Sequence, residues 1–307
     1  MLLLSFGISA ISMLRAYIAL VSALVAAGLG VIALAVWPLP PGLPAAEVVG
    51  DVKRGAYLAR LSGCVSCHTS PGGEPWAGGA ALISKFGNFY APNITPHQEE
   101  GIGKWTFSEF VRAVRQGVAP DGDPYYPAFP YEFYAGFTDA DMADLWAAMR
   151  ALPPSAQETK PHQVGFPFNI RKGVKVWRTF FERPFIYQPD PGHTASWNRG
   201  RYIVEGPGHC VACHTPRNLF GGLDTARQLE GDPRMQDGGE SPPLTLEALS
   251  SKGWTRASLT TALKTGVLPD GDAFGGSMAE VVHEGTSFLL EQNLADIATY
   301  LLDLDEE

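Results

Sequence analysis

The chain contains four cysteines, Cys64, Cys67, Cys210 and Cys213, arranged as two C-x-x-C pairs. A histidine follows each pair directly, giving Cys64-Val65-Ser66-Cys67-His68 and Cys210-Val211-Ala212-Cys213-His214. Two thiols one helical turn apart reach one edge of a porphyrin and add to its two vinyl groups. The adjacent imidazole then becomes an axial ligand of the iron. Zinc sites and thioredoxin-like redox pairs use the same cysteine spacing. Four thiolates on zinc would need neither His68 nor His214, and a thioredoxin pair needs an α/β context that this sequence does not offer. The expectation is two covalently attached haems c, held through Cys64, Cys67, Cys210 and Cys213, with His68 and His214 on iron. No cysteine is left over for a disulfide.

The elements that must position these residues come in two copies. Arg54-Gly55-Ala56-Tyr57 precedes the first motif and Arg199-Gly200-Arg201-Tyr202 the second. Further on, Trp105-Thr106, Gly117-Val118 and Pro120-Asp121-Gly122-Asp123 recur 149 residues later as Trp254-Thr255, Gly266-Val267 and Pro269-Asp270-Gly271-Asp272. Each copy closes on an amphipathic helical pattern, about 139–152 and about 290–304, the first opened by a capping-box pair, Thr138 and Asp141. No stretch sustains period-two alternation, so the fold class is all-α with no sheet expected. The divisions are 1–38, an apolar N-terminal segment; 39–49, a linker; 50–152 and 196–307, one unit each. Between the units, 153–195 is rich in proline and aromatic residues and reads as a packed strap with a short helix near Arg171–Phe181.

Ala16–Trp37 holds 22 residues without a charge. As a helix it is about 33 Å long, enough for the roughly 30 Å of a bilayer's hydrocarbon core. Arg15 precedes it and no charge follows until Glu47, which favours the N-terminus inside and the remainder outside. The run is longer than a cleavable leader needs and ends in the stiff Pro38–Pro44, so an uncleaved anchor is expected. Met13-Leu14-Arg15 makes a more ordinary start than Met1–Ser12. Haem c is attached outside the cytoplasm, which agrees with this orientation. A net charge of −9 without a Lys/Arg cluster speaks against nucleic acid and leaves a basic protein partner open.

Cys64–Thr69, Asn93-Ile94-Thr95-Pro96, Gly101-Ile102-Gly103-Lys104-Trp105, Tyr126-Pro127-Ala128-Phe129-Pro130-Tyr131 and His209–Asn218 resemble the membrane-anchored cytochrome c subunits of periplasmic alcohol, aldehyde and gluconate dehydrogenases, and their diheme relatives. The resemblance covers roughly residues 50–307. It implies two cytochrome c-like domains behind one transmembrane helix, seated in a bacterial inner membrane and facing the periplasm. It also implies electron transfer from a dehydrogenase toward a quinone, a soluble cytochrome or a terminal oxidase. Dehydrogenase subunits of this kind often carry three haem motifs; this chain has two.

The iron's other axial ligand separates the copies. Met278, beyond the Gly266–Asp272 turn and in the family's ligand segment, is the expected ligand of haem two, with His283 as its rival. The residue 149 positions earlier is Phe129, where the related subunits typically have methionine. Phenylalanine cannot bind iron. Haem one is therefore five-coordinate or takes another ligand, with His97 and His162 as candidates and Met142, Met149, Tyr125, Tyr126 and Tyr131 read as packing. An open haem one supports a second reading, an enzyme acting on peroxide or a small sulfur compound with His97 or Glu99 as distal acid/base. A sensor would need an output domain. No flavin, pyrroloquinoline quinone or molybdenum signature is visible, and no G-x-G-x-x-G follows a strand, so substrate oxidation is expected on another chain.

Overall fold

The computed structural model describes residues 2–40, 42, 46, 48–235 and 238–304, with side chains from residue 12 onward. Helix α1 (Leu2–Val36) is followed by α2 (Val52–Leu61) and the short α3 (Cys64–His68). Strands β1 (Ala81–Ser84) and β2 (Gly87–Tyr90) precede α4 (Phe107–Gln116), α5 (Tyr131–Tyr134) and α6 (Asp139–Arg150). Strand β3 (Gln163–Val164) and α7 (Val174–Phe181) lie in the strap region. The second copy contributes α8 (Ala195–Glu205), α9 (Cys210–His214), α10 (Leu246–Ser251), α11 (Arg256–Thr265), α12 (Gly276–Glu284) and α13 (Glu291–Leu301). In α1 the apolar side chains from Met13 to Val36 are exposed rather than packed into the core, and Ser12–Val36 is long and apolar enough to cross a membrane. The expected linker 39–49 falls partly outside the described residues.

Two helix crossings build the frame, α2 on α6 and α8 on α13. Each depends on a glycine. A Cβ on Gly55 would lie 1.9 Å from the Asp144 carbonyl oxygen, and one on Gly200 would lie 1.9 Å from that of Asp296. The missing side chains let the backbones touch, which aligns Asp144 with Asp296 along the closing helices. Arg54 then pairs with Asp141 and Asp144 across the first crossing. The helices before the turns start alike, with Thr106 and Thr255 as capping boxes for α4 and α11. The turns that follow are superimposable in their hydrogen bonds. The amides of Tyr125 and Phe274 donate to the carbonyls of Gly117 and Gly266, at 2.7 and 2.9 Å. Those of Ala119 and Leu268 donate to Asp123 and Asp272, at 2.9 and 2.7 Å. The 149-residue repeat is thus a repeat of structure.

The expected helices near 139–152, 290–304 and 171–181 are present as α6, α13 and α7, and Thr138 and Asp141 form the capping box. The expectation of no sheet is corrected. β1 and β2 form a hairpin, and β3 adds to β2 through Gly87↔Val164 and Asn88↔Gln163. Strands of four and two residues are too short to show alternation. Gly87, at φ 136°, leaves room for the Gln163 carbonyl, which a Cβ would approach to 2.4 Å. The chain at Gln163–Val164 is thereby pinned to the first copy. Replacing Gly200 by valine is expected to lower stability by about 1–3 kcal/mol as α8 and α13 are forced apart. Denaturant unfolding of the variant checks it.

Candidate functional site

Each C-x-x-C-H helix starts directly after a residue in the left-handed region, Gly63 (φ 66°) and His209 (φ 38°). The chain therefore turns sharply out of α2 and α8 into α3 and α9. The first of these sites (Cys64, Cys67, His68) is called site one and the other (Cys210, Cys213, His214) site two. His68 Nδ1 lies 2.7 Å from the Pro92 carbonyl oxygen, and His214 Nδ1 lies 2.7 Å from that of Pro242. A carbonyl only accepts, so Nδ1 carries the proton in both rings. Nε2 keeps its lone pair, the state required of an iron ligand. Packing around both imidazoles pushes their pKa values down, favouring the neutral form.

Matching loops bring up the two carbonyls. Trp76 and Leu229 both adopt positive φ, 65° and 61°. Their amides donate to Thr69 Oγ1 at 3.2 Å and Thr215 Oγ1 at 3.1 Å, while their carbonyls accept the amides of Ile94 and Leu244. In site one, buried Asn93 locks the residue after Pro92. Its Nδ2 donates to the carbonyls of Ser155 (2.9 Å) and Gln157 (3.0 Å), and its Oδ1 accepts the Thr95 amide (2.9 Å). The motif residues Asn93 and Thr95 are thus the fastening of the His68 partner. Sequence reading found the motif but not this role.

Site one opens on an apolar cavity of about 330 Å³. Cys64, Cys67 and His68 line it, with Ile94, Trp105, Phe110, Phe129 and Leu145 among the other walls. Two thiols and a neutral imidazole at one apolar cavity fit a covalently bound haem. Burial pushes Cys64 and Cys210 up to about 12 and Cys67 up to about 11. A thioredoxin-like pair needs the opposite shift. Near site two, the half-buried Arg217 guanidinium donates to the Ala212 and Gly221 carbonyls at 3.0 and 2.8 Å.

His97 and His162 differ from His68 and His214 in what their Nδ1 atoms meet. His97 Nδ1 accepts the Glu100 amide at 3.1 Å, and His162 Nδ1 accepts the Tyr90 amide at 3.2 Å. Both rings therefore carry their proton on Nε2. His162 lines the cavity, whereas His97 and Glu99 do not; Glu99 pairs with Lys104 instead. His209 Nε2 donates to the Ser62 carbonyl at 3.3 Å. His283 Nδ1 bonds Glu284, and its side chain is 84% exposed. Met278 sits on α12, half-buried against the core, while Met142 and Met149 are fully buried on α6.

The two sites adjoin. His209 Nε2 would lie 3.3 Å from a Cβ on Gly63, so the residues that open α3 and α9 touch. Cys67 is close enough to Cys213 for a free thiolate there to raise its pKa, and to Glu280 of α12. Arg60 pairs with Glu284 at 2.8 Å and covers the Phe288 ring, and Asn293 Nδ2 donates to Tyr57 Oη. Between the copies, the Phe185 ring fills the space left by Gly136 and Gly206.

No family model matches the chain. It is 39% identical over 262 residues to a diheme cytochrome c-type protein of Cereibacter sphaeroides, covering 83% of this chain and 86% of that one. A nicotinate dehydrogenase component of Pseudomonas putida is 41% identical over 269 residues, which are 87% of this chain but 22% of that protein. The cytochrome c subunit of a quinone alcohol dehydrogenase of Gluconacetobacter polyoxogenes is 39% identical over 82% of this chain and 56% of its own length. The chain therefore spans nearly all of one relative and a part of the other two.

Replacing Asn93 by alanine leaves the Ser155 and Gln157 carbonyls and the Thr95 amide without partners. The expected loss is about 1–3 kcal/mol, read from chemical unfolding. Asn88→Ala, half-buried on β2 with only a long side-chain bond to Gln163 at 3.2 Å, is expected to cost under about 0.5 kcal/mol.

Proposed function

The chain belongs to the c-type cytochromes, in the family that holds diheme cytochromes and the cytochrome c subunits of alcohol and gluconate dehydrogenases, and we propose that it is a membrane-anchored diheme electron carrier. In this reading a periplasmic dehydrogenase delivers electrons, and a quinone, soluble cytochrome or terminal oxidase removes them. The adjoining of the two C-x-x-C-H helices carries the proposal, because electron tunnelling falls steeply with distance. When bound, haem supplies a one-electron couple between ferrous and ferric iron. The chain supplies attachment, ligation and burial.

Residues 50–152 would hold one haem through Cys64, Cys67 and His68. Residues 196–307 would hold the other through Cys210, Cys213 and His214, with Met278 as sixth ligand. The segment 153–195 would fix their spacing, supported by β3, by Phe185 between the copies and by Trp177 Nε1 donating to the Phe220 carbonyl at 2.8 Å. His209 and the Ser62 carbonyl would hold the two attachment helices in register.

Helix α1 would span a bacterial inner membrane once, with both haems on the periplasmic side. A surface beside its end supports this. Lys175 Nζ donates to the Trp37 carbonyl at 3.2 Å, joining α7 to the end of α1. Next to α7, Leu219 is 86% and Phe220 65% exposed, and Phe220 stacks on Phe181 at 5.6 Å. Such an apolar ledge beside the end of α1 suits the headgroup layer.

Redox titration of the purified holoprotein in detergent is expected to show two one-electron steps at separate potentials, since the sites differ at Phe129 and Met278. A single two-electron transition at one potential would contradict distinct haem environments. In cells, the haem is expected to sediment with membranes through a high-salt wash and to be released by detergent. Release by salt alone would remove the anchor from the account.

A further inference from the structure

We propose that site one provides iron with a single protein ligand, His68, and that its second axial position lies under an aromatic cap centred on Phe129, where it takes a neutral diatomic ligand of the carbon monoxide class. This rests on the assignment of haem to Cys64, Cys67 and His68. Phe129 occupies the repeat position of Met278, and the turn that leads to both residues is the same hydrogen bond for hydrogen bond. The Phe129 segment is fixed in place. Its amide donates to Tyr126 at 3.0 Å and its carbonyl accepts the Tyr131 amide at 2.9 Å. The ring stands edge-on to Tyr125 at 5.8 Å and lies 6.1 and 5.9 Å from the rings of Tyr131 and Tyr134.

Several other cavity-lining groups with potential donor atoms are held elsewhere or poorly suited to iron. His162 accepts the Tyr90 amide on Nδ1, so its Nε2 bears a proton and has no lone pair for iron. Lys160 Nζ stands over the Tyr90 ring, 6.0 Å from its centre. Met149 sits on the closing helix where, with Asp144 aligned to Asp296, the second copy has the buried core residue Leu301. The Tyr134 hydroxyl donates to the Ser62 carbonyl at 2.7 Å and that of Tyr126 to the Phe168 carbonyl at 3.0 Å. Tyr125 is a half-buried phenol whose pKa desolvation pushes up to about 12, which disfavours the phenolate that iron would need.

The same cap selects the ligand. Its aromatic walls are apolar, and the hydroxyls of Tyr134 and Tyr131 are turned to Ser62 and Glu182. Against those aromatic walls an anion such as azide would lose hydration that the rings do not replace. A neutral diatomic that binds ferrous iron meets no such cost.

The test is a carbon monoxide titration of the reduced full-length holoprotein in detergent, followed by absorption spectroscopy. A pyridine haemochrome assay first establishes two haems per chain, so that a missing response counts against the open position and not against haem attachment. The expected result is a carbon monoxide spectrum from one haem of the two. Phe129→Met is expected to abolish it, and Met278→Ala to extend it to both haems. Phe129→Ala, which trims the cap, is expected to speed carbon monoxide association severalfold in flow or flash kinetics. No response from a two-haem protein would overturn the proposal, as would a response in which Phe129→Met and Phe129→Ala both behave like the unmodified chain.

Discussion

A histidine can offer iron a lone pair on Nε2 only if its other nitrogen holds the proton, so something must accept a hydrogen bond at Nδ1. In this chain the acceptors for the two motif histidines are the carbonyls of Pro92 and Pro242, each at 2.7 Å. Much of the surrounding structure serves to bring those two oxygens into place. The left-handed Trp76 and Leu229, the threonines that follow each motif, and the Asn93 network all fold the loop back onto the imidazole. The same requirement sets His97 and His162 apart, because backbone amides donate to their Nδ1 atoms. One class of hydrogen bond thus separates the two motif histidines from His97 and His162.

The duplication explains which features are shared and which differ. Glycines at the helix crossings, Thr106 and Thr255 at helix starts, and the paired turns are common to both copies because each is needed to close a cytochrome-sized unit. The copies part at the end of the turn. After Phe274 the second copy forms helix α12, which carries Met278, while the first runs through Tyr126-Pro127-Ala128-Phe129-Pro130 to α5. Prolines at 127 and 130 deny this stretch the amides that a helix such as α12 uses.

Much of this was legible in the sequence. The two C-x-x-C-H motifs, the 149-residue repeat, the closing helices and the long apolar N-terminal run are local patterns, and local patterns survive in one dimension. The hairpin at Ala81–Tyr90 and its pairing with Gln163–Val164 were not legible. The strands are too short to alternate, and the third comes from some 70 residues away. The contact between His209 and Ser62 spans 147 residues of sequence, and no spacing rule announces it. The state of His162 was equally hidden, since it is set by an amide in β2. Sequence alone put His97 ahead of His162; the structure lines the cavity with only the second and commits its Nδ1 to a donor.

Electron paramagnetic resonance of the fully oxidised holoprotein tests the assignment most directly, because it distinguishes imidazole–thioether, bis-imidazole and high-spin haem in one spectrum. If the proline carbonyls decide which histidines bind iron, one low-spin imidazole–thioether centre and one high-spin centre are expected, with no bis-imidazole signal. A bis-imidazole signal retained in His97→Ala and lost in His162→Ala would contradict the account, since it would place on iron a ring whose hydrogen bonding gives it no lone pair to donate.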